Sequence, residues 1–281
     1  MRIFVAGATG VVGRRVVPLL VTAGHEVVAL TRRSVEIAGA TTVVGDVYDA
    51  ARLRSVVAAA RPDVVMHQLT DLTSRDFAAN GRIRREGTRN LVDAALAAGV
   101  QRVISQSVAW AYSPGSTPAD ESVPLDLDAA DPGRRAMVSA VAELETITAE
   151  APEWVVLRYG MLYGPDTWYT KGGLMADQAH AGQLPAGPDF TSFLHADDAA
   201  LAALAALAAL TWPSGPINIV DDDPAPASLW TPAFAASVGA PPPPPTDAPR
   251  TPWARGATNT HAHSLSWQPT HPTWRTGFHT P

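Results

Sequence analysis

The 281-residue sequence contains no cysteine, and its only lysine is Lys171, although arginine is common. The absence of cysteine excludes disulfide bonds, thiolate metal sites and thiol nucleophiles, and it fits the reducing cytoplasm in which we place the protein. A surplus of positive charge is also missing, because the formal net charge is −6 at pH 7. This charge argues against a nucleic-acid partner.

Long apolar segments are equally scarce. The N-terminal stretch MRIFVAGATG enters a strand pattern directly and has no charged-then-apolar leader, so we predict no secretion signal. The longest apolar run, ALAALAAL at 203–210, is too short and too rich in alanine to span a bilayer. What is present is an ordinary globular balance of 46% hydrophobic and 17% charged residues. We therefore expect a small-molecule partner, with no nucleic acid and no membrane, and a monomer or a homodimer.

The first 160 residues alternate short β-rich runs with helical patterns. Strands are predicted at 2–7, 26–30, 41–45, 63–68, 102–107 and 154–159. Apolar strands that alternate with helices indicate βαβ units and a parallel sheet. After residue 160 come loops rich in Gly, Pro and aromatic residues, a helix at about 197–210 and a strand at 216–220. The predicted class is α/β, with a parallel sheet in 1–160, to which 197–220 return, and a second lobe in 161–196 and 221–281.

The stretch GATGVVG lies directly between the first strand and the first helix. A turn this tight needs residues without Cβ, both for its backbone angles and to let a pyrophosphate approach. The helix N-terminus then offers free N–H groups and a positive dipole to the phosphates. In this context the pattern predicts a dinucleotide site, and a tight turn without a ligand is the alternative. The predicted contacts are Gly7, Thr9, Gly10, Val11, Val12 and Gly13.

The end of the second strand favours NADP over NAD. A site selective for NAD carries a carboxylate there, roughly 20 residues past the glycine loop, to bind the ribose diol. This sequence has Thr31 at that place, followed by Arg32 and Arg33. Two guanidinium groups would hold a 2′-phosphate, although solvated loop charges are the alternative reading.

Two further strand ends extend the predicted cofactor groove. Asp46 and Val47 follow the third strand, where an adenine would lie, and a turn role is the alternative for Asp46. His67, Gln68, Leu69 and Thr70 lie at and just after the end of the fourth strand and are expected to contact the cofactor mainly through their backbone.

Five stretches occur in order along the chain: GATGVVG, GTRNLVDAALAAGV, VLRYGMLYGP, FTSFLHADDAALAALAAL and INIVDDDP. Together they resemble the extended short-chain dehydrogenase/reductase family, the group of NAD-dependent epimerases and dehydratases. The tail RGATNTHAHSLSWQPTHPTWRTGF and the stretch DVVMHQLT are similar to an atypical actinobacterial branch of it. The resemblance covers nearly the whole chain. It implies a Rossmann domain and a smaller C-terminal lobe, with the substrate over the nicotinamide between them.

The resemblance also implies a catalytic serine and a Tyr-x-x-x-Lys pair on the helix after the fifth strand. Ser107 fits the serine, but the helical stretch PGRRAMVSAVAELE at 132–145 contains neither tyrosine nor lysine. Two alignments are open, because either of two glutamates in this stretch can match the family's glutamate. With Glu143 the pair falls on Arg135 and Ser139, and with Glu145 it falls on Met137 and Val141.

The missing lysine has a chemical consequence, because in such a pair it lowers the tyrosine pKa. A free tyrosine has a pKa of about 10, so only about one in a thousand is ionised at neutral pH. Such a tyrosine is a poor base but can still act as an acid, which favours reduction over oxidation. We expect Ser107 to polarise a substrate oxygen and Tyr112 or Tyr163 to donate the proton.

Aromatic residues near the expected site predict an apolar substrate cavity, although packing at the lobe interface is the alternative for each. The predicted substrate contacts are Trp110, Tyr159, Met161, Trp168 and His195. His195 precedes Asp197 and Asp198 at a helix start, where a structural role is the alternative. No metal is predicted, because the tail histidines lack metal-ligand spacing; they are His261, His263, His271 and His279.

Three functions are compatible with the sequence. The first is an NADP(H)-dependent reductase of a small carbonyl compound of aromatic or polyketide type, in secondary metabolism. The second is a non-redox cyclase, dehydratase or isomerase that keeps the cofactor as a scaffold, which the lost Tyr/Lys pair motivates. The third is an NADP-sensing binding protein without turnover.

Overall fold

The computed structural model describes residues 1–71, 77–184, 186–208, 211–243 and 246–278, with only the backbone for residue 77. The predicted tail histidine His279 lies outside these ranges. The backbone forms two compact units. The first unit comprises Met1–Ser107, Leu127–Leu157 and Ala200–Pro216, and the second comprises Val108–Asp126, Arg158–Ala199 and Ile217–Pro281.

The strands follow the alternating pattern of the sequence. In chain order they are β1 (Arg2–Ala6), β2 (Glu26–Thr31), β3 (Ala40–Val44), β4 (Val64–His67), β5 (Arg102–Val108), β6 (Glu153–Tyr159), β7 (Met161–Tyr163), β8 (Phe190–Thr191), β9 (Phe193–His195), β10 (Gly215–Ile219) and β11 (Ala225–Pro226). Each strand predicted from the sequence is present with bounds within two residues of the expected ones.

Helices fill most of the intervals between these strands. They are α1 (Gly13–Thr22), α2 (Ala50–Ala60), α3 (Phe77–Arg82), α4 (Thr88–Ala97), α5 (Pro132–Thr148), α6 (Leu174–His180), α7 (Ala196–Ala205), α8 (Ala227–Val238), α9 (Thr260–Ser264) and α10 (Trp274–Gly277). A π-helical turn, Ile83–Gly87, joins α3 to α4. Within the described ranges, none of the helices combines the length and the hydrophobicity that a bilayer crossing requires.

One seven-stranded parallel sheet has the order β10-β6-β5-β4-β1-β2-β3. The chain builds outward from β1 in one direction through β2 and β3, and then returns to the other side of β1 with β4. Ligands of such sheets bind beyond the carboxyl ends of the strands at this reversal. The predicted α/β class with a Rossmann doubly wound parallel sheet is therefore confirmed.

The core of the first unit explains why its strands are almost continuously apolar. Phe4 of β1, Val65 of β4 and Val103 of β5 pack in one cluster with Leu53 of α2 and Leu91 of α4, and all five are completely buried. A parallel sheet covered by helices has no solvent face on which polar residues could alternate.

The second unit has an aromatic core. Tyr169, Phe193, Trp230 and Phe234 contact one another mainly edge to face, with ring centroids 5.2–6.0 Å apart. Such contacts add to the free energy of burying large rings. Two small sheets belong to this unit, the parallel pair β7–β9 and the antiparallel pair β8–β11.

Residues 108–126 belong to the second unit, whereas the sequence placed them in the first domain. The reason is long-range pairing. Ala119 forms a β-bridge with Ala257, and the Asn218 side-chain amide donates to the Ala119 carbonyl. These contacts join positions about a hundred residues or more apart, which local sequence patterns do not reveal.

Candidate functional site

The glycine loop of the first unit packs directly on the backbone that leaves β4. Gly7 has a φ of +95°, and a Cβ there would overlap the Gln68 carbonyl. A Cβ on Gly13 would overlap the Gly7 carbonyl and the Ala8 backbone. Gly10 donates its N–H to the Gly7 oxygen at 3.0 Å. The loop can therefore keep this close path only with glycine at positions 7 and 13.

The N-terminus of α1 presents uncapped donors beside this loop. Val12 provides no side-chain cap, and the first turn contains no acidic residue. Within the described ranges, the N–H groups of Val11, Val12 and Gly13 donate to no acceptor. Three such groups at the positive end of a helix dipole form an anion site. Thr9 is exposed on the same loop.

The strand ends β4 and β5 carry two buried amides that lack partners. Neither Nε2 nor Oε1 of Gln68 has a hydrogen bond to the described residues, and only 3% of this residue is exposed. Nε2 of Gln106 is unpaired too. The parallel register pairs His67 with Ser105, so Gln68 and Gln106 are neighbours at the next position. An unpaired buried amide costs free energy until a ligand satisfies it, so this feature fits a bound dinucleotide. Leu69 is half-buried and Thr70 exposed.

His67 is a neutral structural residue beneath this edge. Its Nδ1 accepts the Leu69 N–H at 3.2 Å, and its Nε2 lies 2.9 Å from the Thr88 hydroxyl. Burial lowers the His67 pKa to about 4. The accepted N–H assigns the ring proton to Nε2, so the imidazole orients the backbone that faces the glycine loop.

Two exposed guanidinium groups follow β2. The Thr31 hydroxyl donates to the Arg33 carbonyl at 2.8 Å and is therefore occupied. The side chains of Arg32 and Arg33 are exposed and pair with none of the described residues. This arrangement fits an anionic group at the end of the strand.

The predicted adenine contacts have local roles. One carboxylate oxygen of Asp46 accepts the Tyr48 N–H at 2.9 Å, which is the turn role that the sequence left open. Val47 is buried, and its carbonyl accepts from the Asn90 side chain at 2.9 Å. These bonds fix the loop after β3 and leave the adenine contact as a prediction.

Ser107, the predicted catalytic serine, is hydrogen-bonded to helix α5. Its hydroxyl donates to Glu145 Oε1 at 2.8 Å, and the serine is buried. Arg84 of the π-helical turn interacts electrostatically with Glu145. Burial lowers the Arg84 pKa to about 10, and the negative charge of Glu145 opposes this shift. The sequence identified Ser107 but treated Glu145 only as an alignment marker. Because the two residues are 38 positions apart, no local pattern links them.

The positions that would hold the Tyr/Lys pair carry no proton-transfer group in either alignment. Met137 and Val141 are apolar, and the Arg135 guanidinium donates to the carbonyls of two preceding residues. Ser139 is exposed. Helix α5 therefore supplies a carboxylate to Ser107 instead of a phenol beside it.

The two tyrosines predicted as proton donors lie in the second unit and are both buried. The Tyr112 hydroxyl donates to Asn218 Oδ1 and accepts from Arg158 Nη1 at 2.9 Å. Burial raises its pKa to about 12. The Tyr163 hydroxyl is completely buried without a hydrogen bond to the described residues, and burial raises its pKa as well. Weaker acidity and core positions argue against either tyrosine as the donor, above all Tyr163.

A cavity of about 320 Å³ lies within the second unit. Three of the predicted site residues line it, namely Trp110, Tyr112 and Met161. Sequence reasoning missed the rest of the wall, which includes Phe190, Trp230, Trp253 and Arg255. Phe190 is in β8, Trp230 is in α8, and Trp253 and Arg255 are in the segment that precedes α9. Aromatic character was the only sequence signal for the first three residues, and Arg255 had none.

The other predicted substrate contacts do not line this cavity. The Tyr159 hydroxyl donates to the Ala199 carbonyl at 3.2 Å, and Trp168 packs at the border of the aromatic core. His195 is 2% exposed and accepts the Asp197 N–H through Nδ1 at 3.3 Å. For these three residues the structure supports packing, the alternative that the sequence left open.

His195, Asp198 and His271 lie together, with potential ligand atoms within 4.8 Å of one another. The two imidazole rings are stacked with centroids 3.7 Å apart. Both Asp198 oxygens already accept hydrogen bonds from Thr270 and His271. The stacking and these hydrogen bonds anchor His271 and the tail to Asp198, and the absence of a metal stays a prediction.

Comparison with known proteins agrees with this geometry. Residues 3–219 match the model of the NAD dependent epimerase/dehydratase family. A Streptomyces sp protein, 3-diazoavenalumate denitrifying reductase, is 47% identical over 303 residues, which cover 99% of this chain and 99% of that protein.

Solved structures share the fold. The Bordetella bronchiseptica enzyme WbmG, in complex with NAD, superposes with a TM-score of 0.79 at 20% identity, covering 99% of this chain and 91% of that chain. Thermotoga maritima UDP-glucose 4-epimerase with UDP-glucose gives a TM-score of 0.75 at 20% identity, covering 99% and 96%. The protein is thus an enzyme of the oxidoreductase type, and it belongs to the NAD-dependent epimerase/dehydratase family of extended short-chain dehydrogenases/reductases.

Proposed function

We propose that the protein is an NADP(H)-dependent reductase that removes a diazo group from a small aromatic molecule of secondary metabolism. The observation that carries this proposal is the 47% identity, over 99% of both chains, to a protein named 3-diazoavenalumate denitrifying reductase. The missing Tyr/Lys pair of α5 supports it independently, as the proton balance of the reaction explains.

The residues that would hold the coenzyme are in the first unit. The N–H groups of Val11–Gly13 would bind the pyrophosphate, and Arg32 with Arg33 would bind a 2′-phosphate. The buried amide of Gln68 would gain the partner that it lacks among the described residues. A reduced nicotinamide bound there would supply a hydride.

The chemistry of the substrate decides whether the protein must also supply a proton. When an aryl diazonium cation accepts a hydride, a C–H bond forms, the C–N bond breaks, and N₂ leaves. The hydride step itself takes up no proton; where the ring carries a phenolate oxygen, as in a 4-hydroxy substrate, solvent protonates that oxygen after N₂ has left. A carbonyl that is reduced to an alcohol needs one proton as well as the hydride. A site without a Tyr/Lys pair therefore suits the diazo substrate.

A carbonyl substrate is the second candidate. The hydrogen bond from Ser107 to Glu145 favours it, because a serine and a carboxylate in contact can pass a proton to a forming alkoxide. In this reading Ser107 contacts the substrate oxygen, as the sequence predicted, and Glu145 restores the serine proton.

The test supplies the purified enzyme with NADPH deuterated at the transferable position and a diazotised 3-amino-4-hydroxycinnamate. We expect equal amounts of NADP⁺ and N₂, with deuterium on the ring carbon that lost nitrogen. The same reaction in D₂O with ordinary NADPH should leave that carbon undeuterated. Turnover of ketones alone would establish the second candidate, and conversion at constant NADPH absorbance would establish a non-redox enzyme; either result rejects the proposal.

A further inference from the structure

The cavity of the second unit has walls that suit one aromatic ring. Trp110, Phe190, Trp230 and Trp253 line it together with Met161. Its volume of about 320 Å³ is near the lower limit of small-molecule sites, which range from about 300 to 1,000 Å³. A ring with a short side chain fits this space better than a nucleotide sugar does.

Two polar groups of the wall are satisfied within the protein. The Asp189 carboxylate accepts the N–H and the hydroxyl of Thr251, at 2.6 and 2.9 Å. The Ser192 hydroxyl donates to the Ala257 carbonyl at 3.0 Å and accepts the Ala257 N–H at 2.8 Å. Neither group therefore needs a ligand.

Arg255 is the positively charged residue of the wall, and Asp189 is its carboxylate. Its guanidinium donates to the carbonyls of Ser113, Pro114 and Thr117 and to the Thr117 hydroxyl. All of these acceptors are neutral, and within the described ranges no carboxylate forms an ion pair with Arg255. Hydrogen bonds from Ser122 are the main reason that the pKa of the exposed Asp120 is lowered, and the Arg255 charge adds to this shift without an ion pair.

The backbone at Gly115 fixes the position of this guanidinium. A Cβ on Gly115 would overlap the central guanidinium carbon and both terminal nitrogens. The arginine is therefore held against the loop by a residue without a side chain and by neutral acceptors that leave its charge intact. Charged groups held in this way bind anions with little loss of side-chain entropy.

Trp230 adds a donor that lacks an acceptor among the described residues. Its ring lines the cavity, only 5% of the residue is exposed, and its Nε1–H has no acceptor among the described residues. Edge-to-face contacts with Tyr169 and Phe193 hold the indole in place. A ligand with an oxygen acceptor would satisfy this donor.

We infer that the cavity binds an aromatic carboxylate, with the ring against the tryptophans and the carboxylate on Arg255. This inference rests on the proposed function, since it names the substrate class of the proposed reductase. Arg255 is the one cation of this wall, and both oxygens of the wall carboxylate Asp189 already accept from Thr251, so an anion that reaches Arg255 is favoured over a neutral ring of the same shape.

Calorimetry on the coenzyme-free enzyme tests this selection with 4-hydroxycinnamate and its neutral amide. We expect the wild-type enzyme to bind the acid about 10- to 100-fold more tightly than the amide, since a charge-assisted hydrogen bond contributes that much. Arg255→Gln should abolish the preference and Arg255→Lys should retain part of it. Arg275→Gln is the matched control, because Arg275 pairs with Asp223 in the same unit but does not line the cavity.

Three outcomes would overturn the inference: equal affinity of the wild-type enzyme for acid and amide, an unchanged preference in Arg255→Gln, or tighter binding of UDP than of the acid. If Arg255→Gln does not fold, the affinities of the wild-type enzyme for the acid and the amide decide the question alone. No coenzyme and no turnover enter these measurements. A failure of diazo reduction would therefore leave this result standing, and a failure here would leave the reductase proposal standing.

Discussion

Individual ionisable residues set the response of the protein to its surroundings. Asp221 is 1% exposed, and its oxygens accept the N–H groups of Asp223 and Trp274 at 3.3 and 3.0 Å. Burial raises the Asp221 pKa to about 8, well above its ordinary value. His67 in the first unit responds in the opposite sense, because burial lowers its pKa and acid therefore destabilises the folded form.

The raised pKa of Asp221 predicts that the folded protein loses stability as the pH rises from about 4 to about 8. The unfolded chain releases this proton near pH 4 and the folded chain near pH 8, so the contribution of Asp221 to stability falls as pH rises between these values. Asp221→Asn should remove the effect, and the variant should gain on wild type by at most about 1.4 kcal/mol per pH unit in this window. Urea unfolding at pH 5, 6, 7 and 8 measures the difference.

Asp247→Asn is the control, because Asp247 is exposed. It should track the wild-type enzyme at each pH. A constant difference between Asp221→Asn and wild type from pH 5 to 8 would contradict the prediction.

The arginines after β2 allow a test of coenzyme choice at the residue scale. Replacing both Arg32 and Arg33 by Ala should weaken NADP⁺ binding by about 10- to 100-fold and change NAD⁺ binding less than about threefold, because only the 2′-phosphate is lost as a partner. Titration calorimetry with both nucleotides measures this. Arg54→Ala, an exposed arginine on α2, is the control. Tighter binding of NAD⁺ than of NADP⁺ by the wild-type enzyme would refute the assignment.

At the scale of elements, α5 carries the departure from the family pattern. The helix begins at a strong N-terminal signal, since the Asp131 side chain accepts the Arg134 N–H at 2.7 Å and Pro132 follows the cap. It then runs past the positions of the lost pair and brings Glu145 to Ser107. Helix α5 therefore packs beside Ser107 but presents a carboxylate to it where the family pattern has a tyrosine and a lysine.

Glu145→Gln separates the two candidate reactions. The amide oxygen can still accept the Ser107 hydrogen bond, but it cannot exchange a proton at neutral pH. With a diazo substrate we expect kcat to change less than about threefold, because the hydride step takes up no proton from the enzyme. With a ketone the loss should reach at least about 100-fold, the usual contribution of general acid catalysis. Steady-state kinetics with both substrates, and with Ser107→Ala beside Glu145→Gln, decides between them.

The elements that the sequence predicted well are those with local causes. The strands of the sheet follow from runs such as RIFVAG, and the glycine loop follows from the need for residues without Cβ. The cavity wall and the Ser107–Glu145 contact depend on positions far apart in the chain. Ala119 and Ala257 show the same limitation, because their bridge assigns 108–126 to the second unit.

At the scale of the whole molecule, the two units are expected to respond to different ligands. NADP⁺ at about 100 times its Kd should stabilise the state that binds it by about 2.7 kcal/mol. Hydrogen exchange should then slow by up to about 100-fold at Val11, Val12 and Gly13. An aromatic acid should protect 113–117 and 253–257 instead. Protection by NADP⁺ confined to the second unit would contradict this assignment.

Packing contacts in the second unit account for three residues for which the sequence predicted substrate contact. Tyr159, Trp168 and His195 were expected to contact the substrate, yet each packs within its own unit. The same aromatic residue types form the core of this lobe and line its cavity, so composition does not distinguish a packing residue from a ligand-binding one. Arg255 could not be singled out among the arginines, because its neutral surroundings arise only from folding.

The contact between Gly115 and Arg255 makes substrate range adjustable from a distance. Gly115 is not part of the cavity wall, yet a single methyl group there would displace the Arg255 guanidinium from its position. Substitutions at this one position would leave the hydrophobic residues of the cavity wall unchanged and would alter the preference of the cavity for charged over neutral ligands. A single substitution at Gly115 would then allow esters and amides to bind in place of acids.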